Sequence, residues 1–235
     1  MENFETLFAQ SSRPIKISLD QKKLDRQSQY WEASFSNKPE LFGLSPSIAA
    51  VKALEKFKEE NITSIIELGA GLGRDTIYFA QNSIYVEALD YSPSAIKKIN
   101  QKAKELNLSK FIKTRLYDIR EKLPFDNEQF QGCFSHMLYC MALSNTDLEN
   151  LNNEICRVIK VGGSNIYTVR HTNDGDYKKG IHRGEDLYEN DGFIVRFFSK
   201  DKIEKLSSGF KNLDIESFEE GNFPRKLFIV YNKKI

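Results

Sequence analysis

Glu67-Leu-Gly-Ala-Gly-Leu-Gly73 places three glycines at alternate positions behind a carboxylate. Glycine at Gly69, Gly71 and Gly73 permits a tight turn and lets a ligand approach the backbone itself. Two phosphate-binding patterns do not fit this turn. A dinucleotide turn reads G-x-G-x-x-G, and its third glycine would fall on position 74, which is Arg74. A P-loop needs Gly-Lys-Ser/Thr, and none follows. Two further carboxylates, Asp90 and Asp118, each follow a short apolar stretch, at 84–89 and 111–116. The three histidines, His136, His171 and His182, are the natural candidates for a general base.

The elements that must position these groups alternate. Residues 64–68 read as a short apolar strand before the glycine turn, and 75–81 as a helix. Strands follow at 84–89, 111–116, 130–137 and 164–170. Helices are expected from Pro93 to about 106 and over 146–159, the latter stopped by Gly162-Gly163. Alternating strands and helices build βαβ units and a parallel sheet. Strand candidates at 213–218 and 226–231 lie close enough to form an antiparallel hairpin. The expected fold is therefore α/β and doubly wound: a Rossmann-like, seven-stranded, mostly parallel sheet with a C-terminal hairpin and helices on both faces. Upstream, 19–31 reads as an amphipathic helix ending in Tyr30-Trp31, broken up by Asn37-Lys-Pro39 and Gly43-Leu-Ser-Pro46. Ser47 is the expected N-cap of a helix reaching about residue 60. In such a sheet, ligands bind outside the carboxyl ends of the strands, where the glycine turn and both aspartates fall.

With its neighbours Arg74 and Asp75, the glycine turn resembles the first motif of class I methyltransferases that use S-adenosylmethionine (SAM). Later landmarks agree in order: Asp90, Asp118, Leu123-Pro-Phe-Asp126 and Val161-Gly-Gly163. The chain is similar to the small-molecule branch of that family, the methyltransferase type 11/25-like group, over about 63–170. The resemblance implies SAM as methyl donor and S-adenosylhomocysteine (SAH) as product. It places Asp90 on the ribose hydroxyls and Asp118 near the adenine amino group. Around them it implies Glu67, Gly69, Ala70, Gly71, Gly73, Asp75, Tyr91, Ile119 and Ser135 as the cofactor-binding set. SAM carries no phosphate, so the turn needs no anion clamp. The implied reaction is direct displacement at the sulfonium methyl by a small-molecule acceptor: a metabolite, a thiol or a metalloid oxyanion. A SAM-binding scaffold without transfer activity is the alternative.

On the acceptor side, 171–198 is a long polar and aromatic connection, read as a substrate-side insertion. Candidate acceptor contacts are Tyr30, Trp31, Tyr139, Arg170, Arg183 and Glu185, with His136, His171 and His182 as catalytic candidates. The Asn/Asp-Pro-Pro-aromatic signature of many base and glutamine N-methyltransferases is missing after the fourth strand, which reads Ser135-His-Met-Leu-Tyr139. Cys133 and Cys140 flank the expected site and raise the idea of metalloid methylation. No ligand spacing supports a metal. The expected organisation is one methyltransferase domain: a helical extension or lid (1–60), a SAM-binding core (61–170), the insertion (171–198) and a terminal helix and hairpin (199–235).

Composition bounds the partners. Of 235 residues, 40% are hydrophobic, including 17 Phe and 10 Tyr, enough for a substantial core. The net charge of +1 gives no general pull on nucleic acid or an anionic membrane. No apolar run approaches the roughly 20 residues of a membrane span. The N-terminus does not read as a signal peptide. A cytoplasmic protein acting on a small molecule, without nucleic acid or membrane partners, is expected; the composition leaves its oligomeric state open.

Overall fold

A computed structural model describes residues 19–38, 40–221 and 225–235. Expectations for residues 1–18 and for the break at Pro39 lie outside these residues. Strands β1 (Ser64–Leu68), β2 (Tyr85–Asp90), β3 (Ile112–Leu116), β4 (Phe130–Ser135) and β5 (Ile159–His171) are parallel, in the order β3-β2-β1-β4-β5. Beyond β5, β10 (Arg225–Lys234) runs antiparallel to it, and β9 (Phe210–Glu220) pairs antiparallel with β10. These seven strands form the mostly parallel core with a terminal hairpin that the sequence pattern predicts, but the sheet is not limited to seven: three further strands, paired through the tip of β5, bring it to ten.

The central strands are buried on both faces, as parallel strands require. On one face α6 (Asn145–Val158) and α7 (Lys200–Leu206) bring Leu148, Leu151, Ile155 and Ile203 onto Ile66, Tyr167 and Val169. On the other, α3 (Ile48–Glu59), α4 (Arg74–Gln81) and α5 (Pro93–Glu105) bring Phe57, Phe79 and Ile99 onto Ile65, Val86 and Phe134. Serine side chains start α3, α5 and α6: Ser47 accepts from Ala50 N, Ser92 from Ala95 N, and Ser144 forms a capping box with Asp147. No described helix is long and apolar enough to cross a membrane.

Four local expectations change. The helix over 19–31 is two helices, α1 (Gln21–Asp25) and α2 (Gln27–Asn37), parted at Arg26, and the second runs past Trp31. β4 stops at Ser135 because Met137 adopts φ 60°, which ends an extended strand. Gly162-Gly163 does not stop α6. The helix ends at Val158 and β5 begins at once, so both glycines lie within the strand. The insertion after His171 is a meander of β6 (Ile181–Gly184), β7 (Leu187–Asn190) and β8 (Phe193–Phe198). β8 pairs with the tip of β5 through Arg170–Phe197 and His171–Phe198, which sets the meander at the carboxyl edge.

Candidate active site

The glycine turn leaves β1 and enters α4. Gly73 shows why the residue type matters: at φ 80°, a Cβ there would lie 2.6 Å from Ile99 Cγ1, inside the α4–α5 packing. Gly71, at φ 53°, donates its N–H to Asp90 Oδ2 at 2.8 Å. Ser92 N donates to the other Asp90 oxygen at 2.9 Å. Asp90 thereby ties the turn to the end of β2. Burial pushes its carboxyl up to about 6, partly opposed by N–H donors from Ser92, Gly71 and Tyr91.

Glu67 is buried at the end of β1 and accepts from Thr76 Oγ1 at 2.6 Å. Burial, then the nearby Asp75 charge, pushes Glu67 well above the usual carboxylate range. A buried acid in that condition favours a cationic partner. Asp75 is already committed, accepting from Ser47 N at 2.7 Å and Ser47 Oγ at 2.8 Å. It fastens α3 to α4, so its surroundings give it a scaffold contact rather than a free face. Ser135, ending β4, has a buried hydroxyl with no hydrogen-bond partner among the described residues. Ala70 and Ile119 are buried, and burial raises the Tyr91 phenol. Asp118 is held by Arg120, whose Nε lies 3.0 and 3.1 Å from its two oxygens and whose Nη2 lies 2.6 Å from Oδ2. Burial pushes Asp118 up, and the Arg120 contacts outweigh it, leaving the carboxyl below its ordinary value.

Helix α2 lies across this turn. Phe35 packs on Leu72 and Ala95, with its Cζ 3.6 Å from where a Gly71 Cβ would sit. Trp31 packs against Phe35, Phe42 and Phe193, while Tyr30 stacks on Phe193 at 5.2 Å. Gln27 bonds Gly192 O and Ile194 N, joining α2 to the meander. Glu32 reaches Ser92 Oγ at 2.5 Å and Ser94 Oγ at 2.6 Å. These bonds hold its carboxyl down at about 2.

The histidines do not converge. His136 Nε2 meets Glu220 Oε2 at 3.1 Å, and its Nδ1 meets Thr168 Oγ1 at 3.0 Å. Thr168 Oγ1 also accepts from Met137 N at 2.8 Å, so in the neutral ring its hydroxyl hydrogen points at Nδ1 and Nε2–H points at Glu220. Both ring nitrogens are then engaged. Burial pushes Glu220 up, but the His136 bond and the His136 and Arg74 charges hold it below its ordinary value. His171 accepts from Asn173 N at Nδ1, 2.7 Å away, and stacks on Phe228. That bond puts the neutral ring's hydrogen on Nε2, making it a donor. Burial, with Lys226 and Lys200 nearby, lowers its pKa. His182 is exposed and stacks on Tyr188.

The expected acceptor contacts also separate. Tyr139 is a correction: it is fully buried in the core and stacked on Tyr167 at 4.2 Å, because the chain turns inward after Met137. Arg170 is ion-paired with Asp174 and Asp176, leaving a buried Nε without a partner among the described residues. Arg183 bonds Glu189, which also meets Lys23 of α1. Glu185 accepts from Asn145 N and Arg196. Cys133 and Cys140 are fully buried, and burial pushes both thiols up, Cys140 to about 11. Neither is poised as a thiolate. Sequence reading missed Glu32, Phe35, Arg120, Thr168 and Glu220. The first two continue the helix of Tyr30 and Trp31, and Arg120 lies two residues beyond Asp118. Glu220 arrives from a distant strand with no local signal.

Residues 65–163 match the family described as "Methyltransferase domain". A curated Arabidopsis thaliana protein, phosphoethanolamine N-methyltransferase 3, is 34% identical over 102 residues, 43% of this chain. The match spans only 20% of that relative's length. Among solved structures, a Burkholderia thailandensis 1,6-didemethyltoxoflavin N1-methyltransferase with bound 1,6-didemethyltoxoflavin and SAH aligns with TM-score 0.73. Identity is 14%, with 92% of this chain and 91% of that one covered. The N-methyltransferase NodS of Bradyrhizobium japonicum in complex with SAH aligns with TM-score 0.66 and 13% identity, covering 89% of this chain and 99% of that one. At such identities these structures establish the fold. Together with the motif and strand order, the matched domain sets the conclusion: residues 65–163 match a methyltransferase domain, carried on the fold that solved SAM-dependent methyltransferases share.

Proposed function

We propose that the protein transfers the methyl group of SAM to a small-molecule acceptor. The observation that carries this reading is the glycine turn, whose backbone is tied by Gly71 N–H to the buried carboxylate of Asp90. The residues present fit the cofactor. Asp90 retains lone pairs for ribose hydroxyls, Asp118 supplies an acid on the adenine side, and buried Glu67 favours an ammonium. The Ser135 hydroxyl, ending β4 next to β1, is a donor with no hydrogen-bond partner among the described residues. A pyrophosphate would instead meet the Asp90 carboxylate as like charge. The sulfonium supplies an electrophilic methyl group, and the protein's task is alignment and exclusion of water.

With His136 engaged at both nitrogens, His171 bonded through Nδ1 and His182 exposed on the meander with only its stack on Tyr188, no described hydrogen bond positions a histidine as a general base. This supports an acceptor that attacks with a lone pair already available near neutral pH. A weakly basic nitrogen, such as a ring or aromatic nitrogen that is unprotonated near neutral pH, is favoured over a metalloid, because both flanking thiols are buried and protonated. The similar proteins named above as N-methyltransferases point the same way.

Calorimetry with SAH tests the donor site and carries a pH signature. Asp90 must be ionised to accept hydroxyls, so affinity should fall as pH drops through about 6, by up to about tenfold at pH 5. Ligand-free stability should move oppositely. The folded value lies above the ordinary 3.8, so this group's stabilisation is complete below 3.8 and lost as pH rises through about 6. Equal or tighter SAH binding at pH 5 removes Asp90 from the ribose. SAH release from SAM across a panel of amines and thiols then tests transfer. Binding without turnover favours the scaffold alternative.

A further inference from the structure

Helices α1 and α2 are fastened over the glycine turn through residues of the cofactor site itself. Glu32 of α2 holds Ser92 and Ser94, just beyond Asp90. At the other end, one guanidinium joins two elements. Arg120 grips both oxygens of Asp118, and its Nη1 meets Asp25 Oδ1 of α1 at 2.5 Å. Guanidinium donors lie in one rigid plane, so Arg120 cannot turn toward a ligand at Asp118 and keep both acids. The Asp25 side chain is 50% exposed and that of Arg120 26%. Contacts this wet are individually weak and open readily.

We propose that Arg120 is a latch shared by the helical cover and the cofactor site: it holds Asp118 and Asp25 together, and releases Asp118 when a nucleoside amino group binds there. The proposal rests on the reading of Asp118 as the adenine-side acid. It makes the nucleoside amino group and Arg120 compete for one carboxylate, that of Asp118, so cofactor entry costs the cover one of the two acids that hold its clasp in place. Arg120 stays charged throughout, since its two carboxylate partners raise its pKa further.

Trp31 is the chain's single tryptophan and lies half-buried within α2, so its emission reports the cover directly. In the ligand-free full-length chain, both Arg120→Ala and Asp25→Asn should move Trp31 emission to longer wavelength. Stopped-flow fluorescence should show faster SAH association, by about tenfold for Arg120→Ala and less for Asp25→Asn, which leaves Asp118 occupied. Asp25→Asn also keeps the test open should Arg120→Ala fold poorly. Unchanged spectra in both variants, or association rates within about twofold of the parent, would overturn the latch. Red-shifted variants in a protein whose parent shows no saturable SAH signal would instead overturn the cofactor reading. The Asp25 contact would then stand as a helix clasp with no shared role.

Discussion

Gly71→Asp should abolish measurable SAH binding while leaving the protein folded. The backbone there has φ 53°, a region that aspartate tolerates better than most residues, at a cost of about 1 kcal/mol. A Cβ would meet Phe35 Cζ at 3.6 Å, an ordinary contact. The fold therefore has room for the substitution, and melting should drop by only about 2–4 °C. The ligand site does not have room for it. The new carboxylate would stand on the turn whose N–H is held by Asp90, adding like charge where hydroxyl donors must approach. We expect affinity to fall at least about 100-fold, near 2.7 kcal/mol. Parental affinity in a folded Gly71→Asp protein would mean that the cofactor lies elsewhere. Gly73 could not serve for this test, because its Cβ would clash with Ile99 and destabilise the fold as well.

Arg196→Ala should do the reverse, lowering stability sharply with little direct effect on the cofactor site. Arg196 is fully buried on β8. Its guanidinium donates to Leu143 O, Asn145 Oδ1, Glu185 O and Glu185 Oε2, stapling the meander to the start of α6. Burial lowers its pKa, yet arginine stays protonated, and Glu185 balances the charge. Truncation would leave carbonyls and a carboxylate without their donor, which costs roughly 3–5 kcal/mol. Thermal melting should fall by about 10 °C. A melting temperature within about 2 °C of the parent would show that water replaces the staple freely.

Much of the fold is legible because its signals are local. The apolar runs at β1 and β2, the serine caps at Ser47, Ser92 and Ser144, and Pro93 at a helix start each act within a few residues. The carboxyl edge of the sheet is legible for the same reason: Glu67 and Asp90 lie at the ends of β1 and β2, and Asp118 lies two residues beyond β3. The acceptor side is not. Tyr139 reads as a site aromatic until the left-handed Met137 turns it into the core. Arg183 and Glu185 read as free polar groups, but the meander pairs them internally. His136 reads as a base, and its partners Thr168 and Glu220 come from other strands, so spacing along the chain could not show that it is engaged. The cover's attachment through Asp25, Glu32 and Arg120 depends on side-chain contacts between elements, which periodicity does not encode.

The most direct test of the central claim is a crystal structure of the full chain with SAH. The predicted result is nucleoside density outside the carboxyl ends of β1 and β2. The ribose hydroxyls should lie on Asp90, the amino acid portion along Gly69–Gly73 near Glu67, and the adenine amino group at Asp118 with Arg120 withdrawn. Ordered SAH bound away from Gly71 and Asp90 would contradict the account.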